Sequence, residues 1–221
     1  MHSYVRSLQS LLEQNANAAP MKKYMRDQFE FLGIKTPARA ALMKEFIKGH
    51  GLPPPDGLDV IARELWSLPQ REFQYTANGL IGRLQRKLDP DFISTLEYLI
   101  VIKSWWDTVD TLAGDTVGVH FQRFPEVREK YLKKWRTSDN FWLRRTTLLF
   151  QLGYKEGTDF GLLCELIREN LGSDEFFINK AIGWSLRQYA WTDPAAVKKF
   201  VKATKELHPL SRREALKNIG N

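Results

Sequence analysis

The chain has 221 residues, 43% of them hydrophobic, with a single cysteine and a net charge of +7. That is enough apolar material for one substantial core or for an array of small stacked units. No apolar run approaches the ~20 residues a membrane-spanning helix needs, the start Met1-His2-Ser3-Tyr4-Val5-Arg6 has no secretory apolar segment, and a lone cysteine excludes an internal disulfide.

Apolar residues recur at i, i+3 and i+4 along most of the chain, and strand alternation is absent, which predicts an almost all-helical protein. The ten prolines fall near helix starts or between periodic segments, where the ring is tolerated. The expected layout is one domain over 1–221: an N-terminal helical segment over 1–50, a loop over Gly51-Leu52-Pro53-Pro54-Pro55-Asp56-Gly57, and two-helix repeats from 58 to 221. Helix starts are read at Arg71, Trp105, Phe141, Phe176 and Ser211, spaced 34, 36, 35 and 35 residues apart. Each is preceded by another amphipathic segment: Ile61 to Leu68, Leu96 to Ile102, Tyr131 to Trp135, Leu162 to Ile167 and Val197 to Leu207. Two helices every ~35 residues predict HEAT-like repeats stacked into a curved α-α solenoid, which at this size is expected to be a monomer.

Stacking would bring the second helix of each pair together. On the first of these, Trp105, Val109 and Leu112 form a core stripe, and Trp106 and Asp110 form a separate i, i+4 pair beside it. An indole next to a carboxylate suits a cationic ligand. On the next, Trp142 and Arg145 are i, i+3. On the one after, Lys180, Trp184 and Arg187 share a face, flanked by the core stripe Ile178, Ile182 and Leu186. Three repeats that each place a tryptophan beside a charge predict a groove lined with aromatic and basic groups, suited to nucleic acid. The charge distribution agrees: from Trp191 to Asn221 seven basic residues face three acids, so +4 of the +7 lies at that end.

Other chemistries lack their residues. His2, His50, His120 and His208 have no metal-ligand spacing, so no metal is expected. Gly79-Leu80-Ile81-Gly82 is too weak for a phosphate loop and there is no nucleophile elbow. No cofactor is expected. Cys164 lies among Leu162, Leu163 and Leu166, the setting of an inert core thiol.

The chain resembles the AlkD-type DNA alkylation repair glycosylases, built from HEAT-like repeats. The resemblance runs nearly end to end. It rests on Tyr24-Met25-Arg26 with Phe31-Leu32-Gly33-Ile34-Lys35-Thr36-Pro37, Arg63-Glu64-Leu65-Trp66 with Arg71-Glu72-Phe73-Gln74, and Lys103-Ser104-Trp105-Trp106-Asp107-Thr108-Val109-Asp110. It continues through Ser138-Asp139-Asn140-Phe141-Trp142-Leu143-Arg144-Arg145 and Glu175-Phe176-Phe177-Ile178-Asn179-Lys180-Ala181-Ile182-Gly183-Trp184, to Leu210-Ser211-Arg212-Arg213-Glu214-Ala215. It implies excision of N3- and N7-alkylated purines, such as 3-methyladenine and 7-methylguanine, from double-stranded DNA, with the lesion left in the stack. It makes Asp110 the catalytic carboxylate and Trp106 and Trp184 the aromatic walls. It also makes Tyr24 a further contact and Arg145 and Arg187 phosphate holders; the spacing of the groove adds Lys180 and Trp142 as DNA-binding residues. Relatives carry lysine where this chain has Gly153, a phosphate contact either lost or taken over by Lys155. The implied location is the cytoplasm, on the nucleoid when DNA is bound. Two alternatives keep the fold without the chemistry: a HEAT-repeat scaffold, or a protein that binds DNA structures through the same groove.

Overall fold

A computed structural model of the chain describes residues 1–12 and 17–219; residues 13–16 of the expected N-terminal segment and 220–221 of the last repeat lie outside the described residues. The architecture is all-α. Among the described residues there is no strand, only an isolated bridge between Glu30 and Gln70. The chain divides into two compact units, Met1–Thr95 and Leu96–Asn221.

The first unit holds α1 (Ser3–Leu11), α2 (Ala18–Tyr24), α3 (Thr36–His50), α4 (Leu58–Ser67) and α5 (Arg71–Leu84). Helix α4 buries Leu58, Ile61, Ala62, Leu65 and Trp66, spaced to form one apolar stripe. That stripe packs α4 against α5, and α1 packs on α4. The segment Arg71-Glu72-Phe73-Gln74 serves this packing. Fully buried Glu72 accepts hydrogen bonds from the amides of Leu32 (3.0 Å), Gly33 (2.8 Å) and Ile34 (3.1 Å). Gln74 Nε2 donates to the carbonyls of Trp66 (3.1 Å) and Leu68 (2.9 Å), which α4 leaves unpaired at its end.

Helix α6 (Ile93–Val101) leads into the second unit. There follow α7 (Trp106–Thr111), a π-helical turn over Leu112–Val117, α8 (Gly118–Arg123), α9 (Pro125–Arg136), α10 (Phe141–Leu149), α11 (Phe160–Glu169), α12 (Phe176–Tyr189), α13 (Pro194–Ala203) and α14 (Pro209–Leu216). Proline opens α9, α13 and α14, where the missing N–H costs nothing. Carboxylates of Asp159 and Asp193 cap α11 and α13. Helix α7 packs on α10, α10 on α12, and α12 on α14, so the second helices of successive pairs form a row.

Helices α5, α10 and α12 start at the expected residues; α14 starts two residues early, at Pro209. Helix α7 starts at Trp106. Trp105 is its extended N-cap (φ −161°, ψ 159°). Its indole leaves the Val109–Leu112 stripe for an aromatic cluster, 5.2 Å from the Phe177 ring and 6.1 Å from Trp142. The π turn and α8 were not expected. Gly118 opens α8 because a Cβ there would collide with the Phe150 carbonyl.

Candidate functional site

A cleft of about 270 Å³ opens in the second unit, lined by Trp106 and Asp110 of α7, Arg145 of α10, and Phe176, Phe177, Lys180, Trp184 and Arg187 of α12. It arises because Trp106 and Asp110 sit one turn apart on α7, while Lys180, Trp184 and Arg187 follow one face of α12. Ile178, Ile182 and Leu186, on a neighbouring face of α12, are buried.

Asp110 is held from behind by Arg145. The guanidinium makes a parallel pair of bonds, Nε to Oδ1 at 2.7 Å and Nη2 to Oδ2 at 2.8 Å, and Nη1 donates to the carbonyl of Phe177. The Arg145 side chain is 4% exposed and the Asp110 side chain 15%. A fork–fork pair fixes the plane of the carboxylate and uses one lone pair on each oxygen, leaving the others free. Burial is the largest influence on the Asp110 carboxyl and lifts its pKa above the ordinary value, outweighing the Arg145 hydrogen bonds and charge; Asp107 adds to the rise.

The opposite wall is also charge-paired. Glu214 of α14 takes Arg187 Nη1 at 2.6 Å and Lys180 Nζ at 3.2 Å. Burial pushes Glu214 up, but the two cations together outweigh it and hold its pKa below the ordinary value. Gly183 lets α14 come this close: a Cβ there would lie 2.5 Å from Cβ of Glu214 and 3.0 Å from the Ser211 carbonyl oxygen.

The comparisons with known proteins agree on one family. Residues 6–219 match the family model described as DNA alkylation repair enzyme. The chain belongs to the DNA alkylation repair enzyme family. A solved structure titled "Predicted DNA alkylation repair enzyme from Enterococcus faecalis" superposes with a TM-score of 0.86 at 33% identity, over 94% of this chain and 97% of that one. No functionally curated protein matches. Membership gives this alkylation repair enzyme a role in DNA repair and an all-α helical-repeat fold.

Within this repair enzyme the expected site residues sort into three groups. Asp110, Trp106, Trp184, Lys180 and Arg187 line one cleft. Arg145 lines the cleft too, but its guanidinium is buried and bound to Asp110 and to the Phe177 carbonyl, an arrangement that orients the carboxylate and leaves the guanidinium poorly placed for the expected phosphate contact. Trp142 is corrected as well. It is 7% exposed and packs beneath the surface against Phe177 (4.9 Å) and Phe141 (4.7 Å), not on the groove wall. Tyr24 belongs to the first unit, at the end of α2, and is 71% exposed. Gly153 is exposed with open space at its Cβ position. Lys155 lines a different hollow, with Gln151, Gln188 and Trp191.

Phe176 and Phe177, which line the cleft, and Glu214, the acid that pairs with its cations, are residues the sequence reading did not assign to the site. Two like charges on one face of α12 were a signal that an acid elsewhere must balance them. The C-terminal basic cluster is also partly structural: Arg212 donates to the carbonyls of Val201 (2.8 Å) and Thr204 (2.9 Å), closing the end of α13. Cys164 is buried, and burial raises its thiol to about 11, the state of a core residue. Among the described residues no cluster of three or more His, Cys, Asp or Glu side chains is placed to hold a metal, and no helix is long and apolar enough to cross a membrane.

Proposed function

We propose that this enzyme is a DNA glycosylase that releases cationic N3- and N7-alkylpurines, such as 3-methyladenine and 7-methylguanine, from duplex DNA. The observation that carries the reading is a carboxylate, Asp110, fixed in orientation by a buried arginine and facing a cleft that contains Trp106 and Trp184.

The chemistry follows from the lesion. An N3- or N7-alkylated purine already carries positive charge and leaves without a general acid, so no protonated His or Glu is needed. As the glycosidic bond lengthens, positive charge moves onto the sugar. The free lone pairs of Asp110 stabilise that charge and orient the attacking water. The two indole faces add cation–π attraction of ~0.5–2 kcal/mol each. Lys180 and Arg187 supply the positive charge that draws the phosphate backbone in.

The test is release of free 7-methylguanine and 3-methyladenine from methylated duplex DNA by the wild-type protein. Release is expected, with no release of uracil or 8-oxoguanine, whose departure nothing here activates. A folded, DNA-binding protein that releases neither methylated base would move the cleft to the reading of a non-catalytic scaffold or binder of DNA structures.

A further inference from the structure

The second unit carries a second hollow, of about 180 Å³, that the excision chemistry does not use. It lies where α10 and α12 end, and Lys155, Glu156, Gln188 and Trp191 are among its lining residues. Its frame is fixed by the fold. Leu148 and Leu163 are the buried part of the lining. Gln151 holds the Asp159 backbone with both ends of its amide, Nε2 donating to the carbonyl at 3.2 Å and Oε1 accepting from the N–H at 2.8 Å. Tyr189 stacks on Phe160, with ring centroids 4.3 Å apart. The loop after α10 and the end of α12 are therefore both tied to the start of α11.

The rim carries the chemistry. Trp191 is 73% exposed, more than any other large apolar residue among the described residues. A single exposed apolar side chain is ordinary, but this indole borders a hollow and packs on no other ring among the described residues. Around it, and again among the described residues, the Lys155 ammonium, the Glu156 carboxylate and the Gln188 amide make no hydrogen bond or ion pair within the protein. Lys155 and Glu156 cancel in charge, which disfavours a free anion or a free cation as the occupant. An indole face suits a flat π-system, and a primary amide suits an edge that both donates and accepts; a nucleobase has both. The hollow also continues the cleft along α12. Trp184, Gln188 and Trp191 are spaced i, i+4 and i+7, with Trp191 in the turn where its N–H meets the Gln188 carbonyl, so the indole lies about 10 Å further along the helix than Trp184.

We propose that this hollow takes an unpaired nucleobase of a DNA strand, stacked on the Trp191 indole with its edge against the Gln188 amide, so that the enzyme favours duplexes with a single-stranded flank. Such a site accepts any base, since every base offers a π-face. A net charge of +7 and membership in a DNA repair family favour a base carried by the polymer over a free nucleoside. The inference rests on the reading of DNA as partner but not on excision.

The experiment uses the full chain and undamaged DNA. Affinity is measured by fluorescence anisotropy for a blunt duplex and for the same duplex with a short single-stranded tail. Wild type should favour the tailed duplex, and Trp191→Ala should cut the ratio of the two affinities about 5- to 150-fold, the range for one base stacked on an aromatic side chain. Gln188→Ala should cut it about 2- to 10-fold, the size of one hydrogen bond. Both side chains are exposed, so both variants should keep the fold, checked by circular dichroism. A 5-bromouracil placed in the tail and irradiated should crosslink to Trp191, located by mass spectrometry. Equal affinity of wild type for tailed and blunt duplexes, a ratio unchanged in Trp191→Ala, or crosslinks confined to the cleft tryptophans overturns the proposal. A second arm titrates adenosine: saturable, Trp191-dependent binding that tailed DNA does not displace assigns the hollow to a free nucleoside and overturns the assignment to DNA. Because the DNA carries no lesion, failure of the glycosylase reading leaves these results intact.

Discussion

Asp110→Asn separates chemistry from architecture in this site. The substitution keeps the shape of the side chain and removes one negative charge facing the cleft. A unit charge ~4 Å from the developing cation, at an effective dielectric of ~20, contributes about 4 kcal/mol. That is roughly a thousandfold in rate, and because the ground-state lesion is already cationic, part of it stabilises the bound substrate instead. The expected loss in single-turnover excision is therefore between about 30-fold and 1,000-fold. Stability should fall as well, because the buried Arg145 loses its counter-charge and one of its N–H donors meets an amide N–H. The Asp110 pKa is raised on folding by burial, so its folded-state value lies above the unfolded value of ~3.9. The contribution Asp110 makes to stability is full below the unfolded value and is lost as pH rises through the folded one. Asn relieves that cost for the carboxyl but leaves the Arg145 charge buried without a partner, so the variant should melt lower than wild type, removal of one member of a buried pair costing about 3–5 kcal/mol; excision is therefore compared at a temperature where both are folded. The variant should bind undamaged duplex at least as tightly, because a charge that repels phosphate is gone. The assay is release of 7-methylguanine with enzyme in excess, alongside anisotropy on the same DNA. Undiminished excision, or loss of binding and excision in equal measure, refutes the catalytic assignment.

The pairing predicts a set of pH and salt effects. Wild-type excision should fall as pH drops through a value above the ordinary carboxylate range of ~4, since the lesion's own charge does not titrate there. Arg145→Gln removes the counter-charge from a buried acid, so this acid limb should move up by about 1–3 units and activity should recover as pH is raised; a pH-rate profile decides. Glu214→Gln frees Lys180 and Arg187 for phosphate, so DNA affinity should rise and its salt slope should steepen by about one to two, read by anisotropy. Trp184→Leu should cost excision roughly 2- to 30-fold, the size of one cation–π contact, while Trp142→Leu, beneath the cleft, should mainly lower the melting temperature.

What the sequence made legible was whatever depends on local spacing. Helices α5, α10 and α12 begin at residues read from the recurrence, and the Trp106–Asp110 and Lys180–Trp184–Arg187 faces hold, because i, i+4 neighbours stay neighbours on any helix. What failed depends on partners far along the chain. The i, i+3 relation of Trp142 and Arg145 placed them on one face without telling which way it looks; Phe177 and Trp105 bury it. Asp110, the partner of Arg145, is 35 residues away, and Glu214, the partner of Arg187, is 27 away. Trp105 was assigned to the helix by periodicity, but as N-cap it takes an extended backbone and aims its indole elsewhere. The π turn of Leu112–Val117 has no local spacing signal at all.

The two ion-paired walls share a design: each charge facing the cleft is balanced from the next helix in the row, Asp110 of α7 by Arg145 of α10, and Lys180 and Arg187 of α12 by Glu214 of α14. The electrostatics of the cleft are therefore set by how closely the helices stack, and one glycine controls the second pairing. In Gly183→Ala the new methyl meets Cβ of Glu214 at 2.5 Å and the Ser211 carbonyl oxygen at 3.0 Å, and neither belongs to a flexible side-chain tip. Helix α14 must move away, which should cost about 1–3 kcal/mol of stability, the usual range for overpacking. The movement weakens the Glu214 pairs and leaves Asp110–Arg145 on the other helices untouched. Single-turnover excision at saturating enzyme should thus stay close to wild type, while the salt slope of DNA binding shifts in the direction of Glu214→Gln. A variant that melts like wild type, or one that loses excision without any change in salt slope, shows that α14 does not set the charge of this wall.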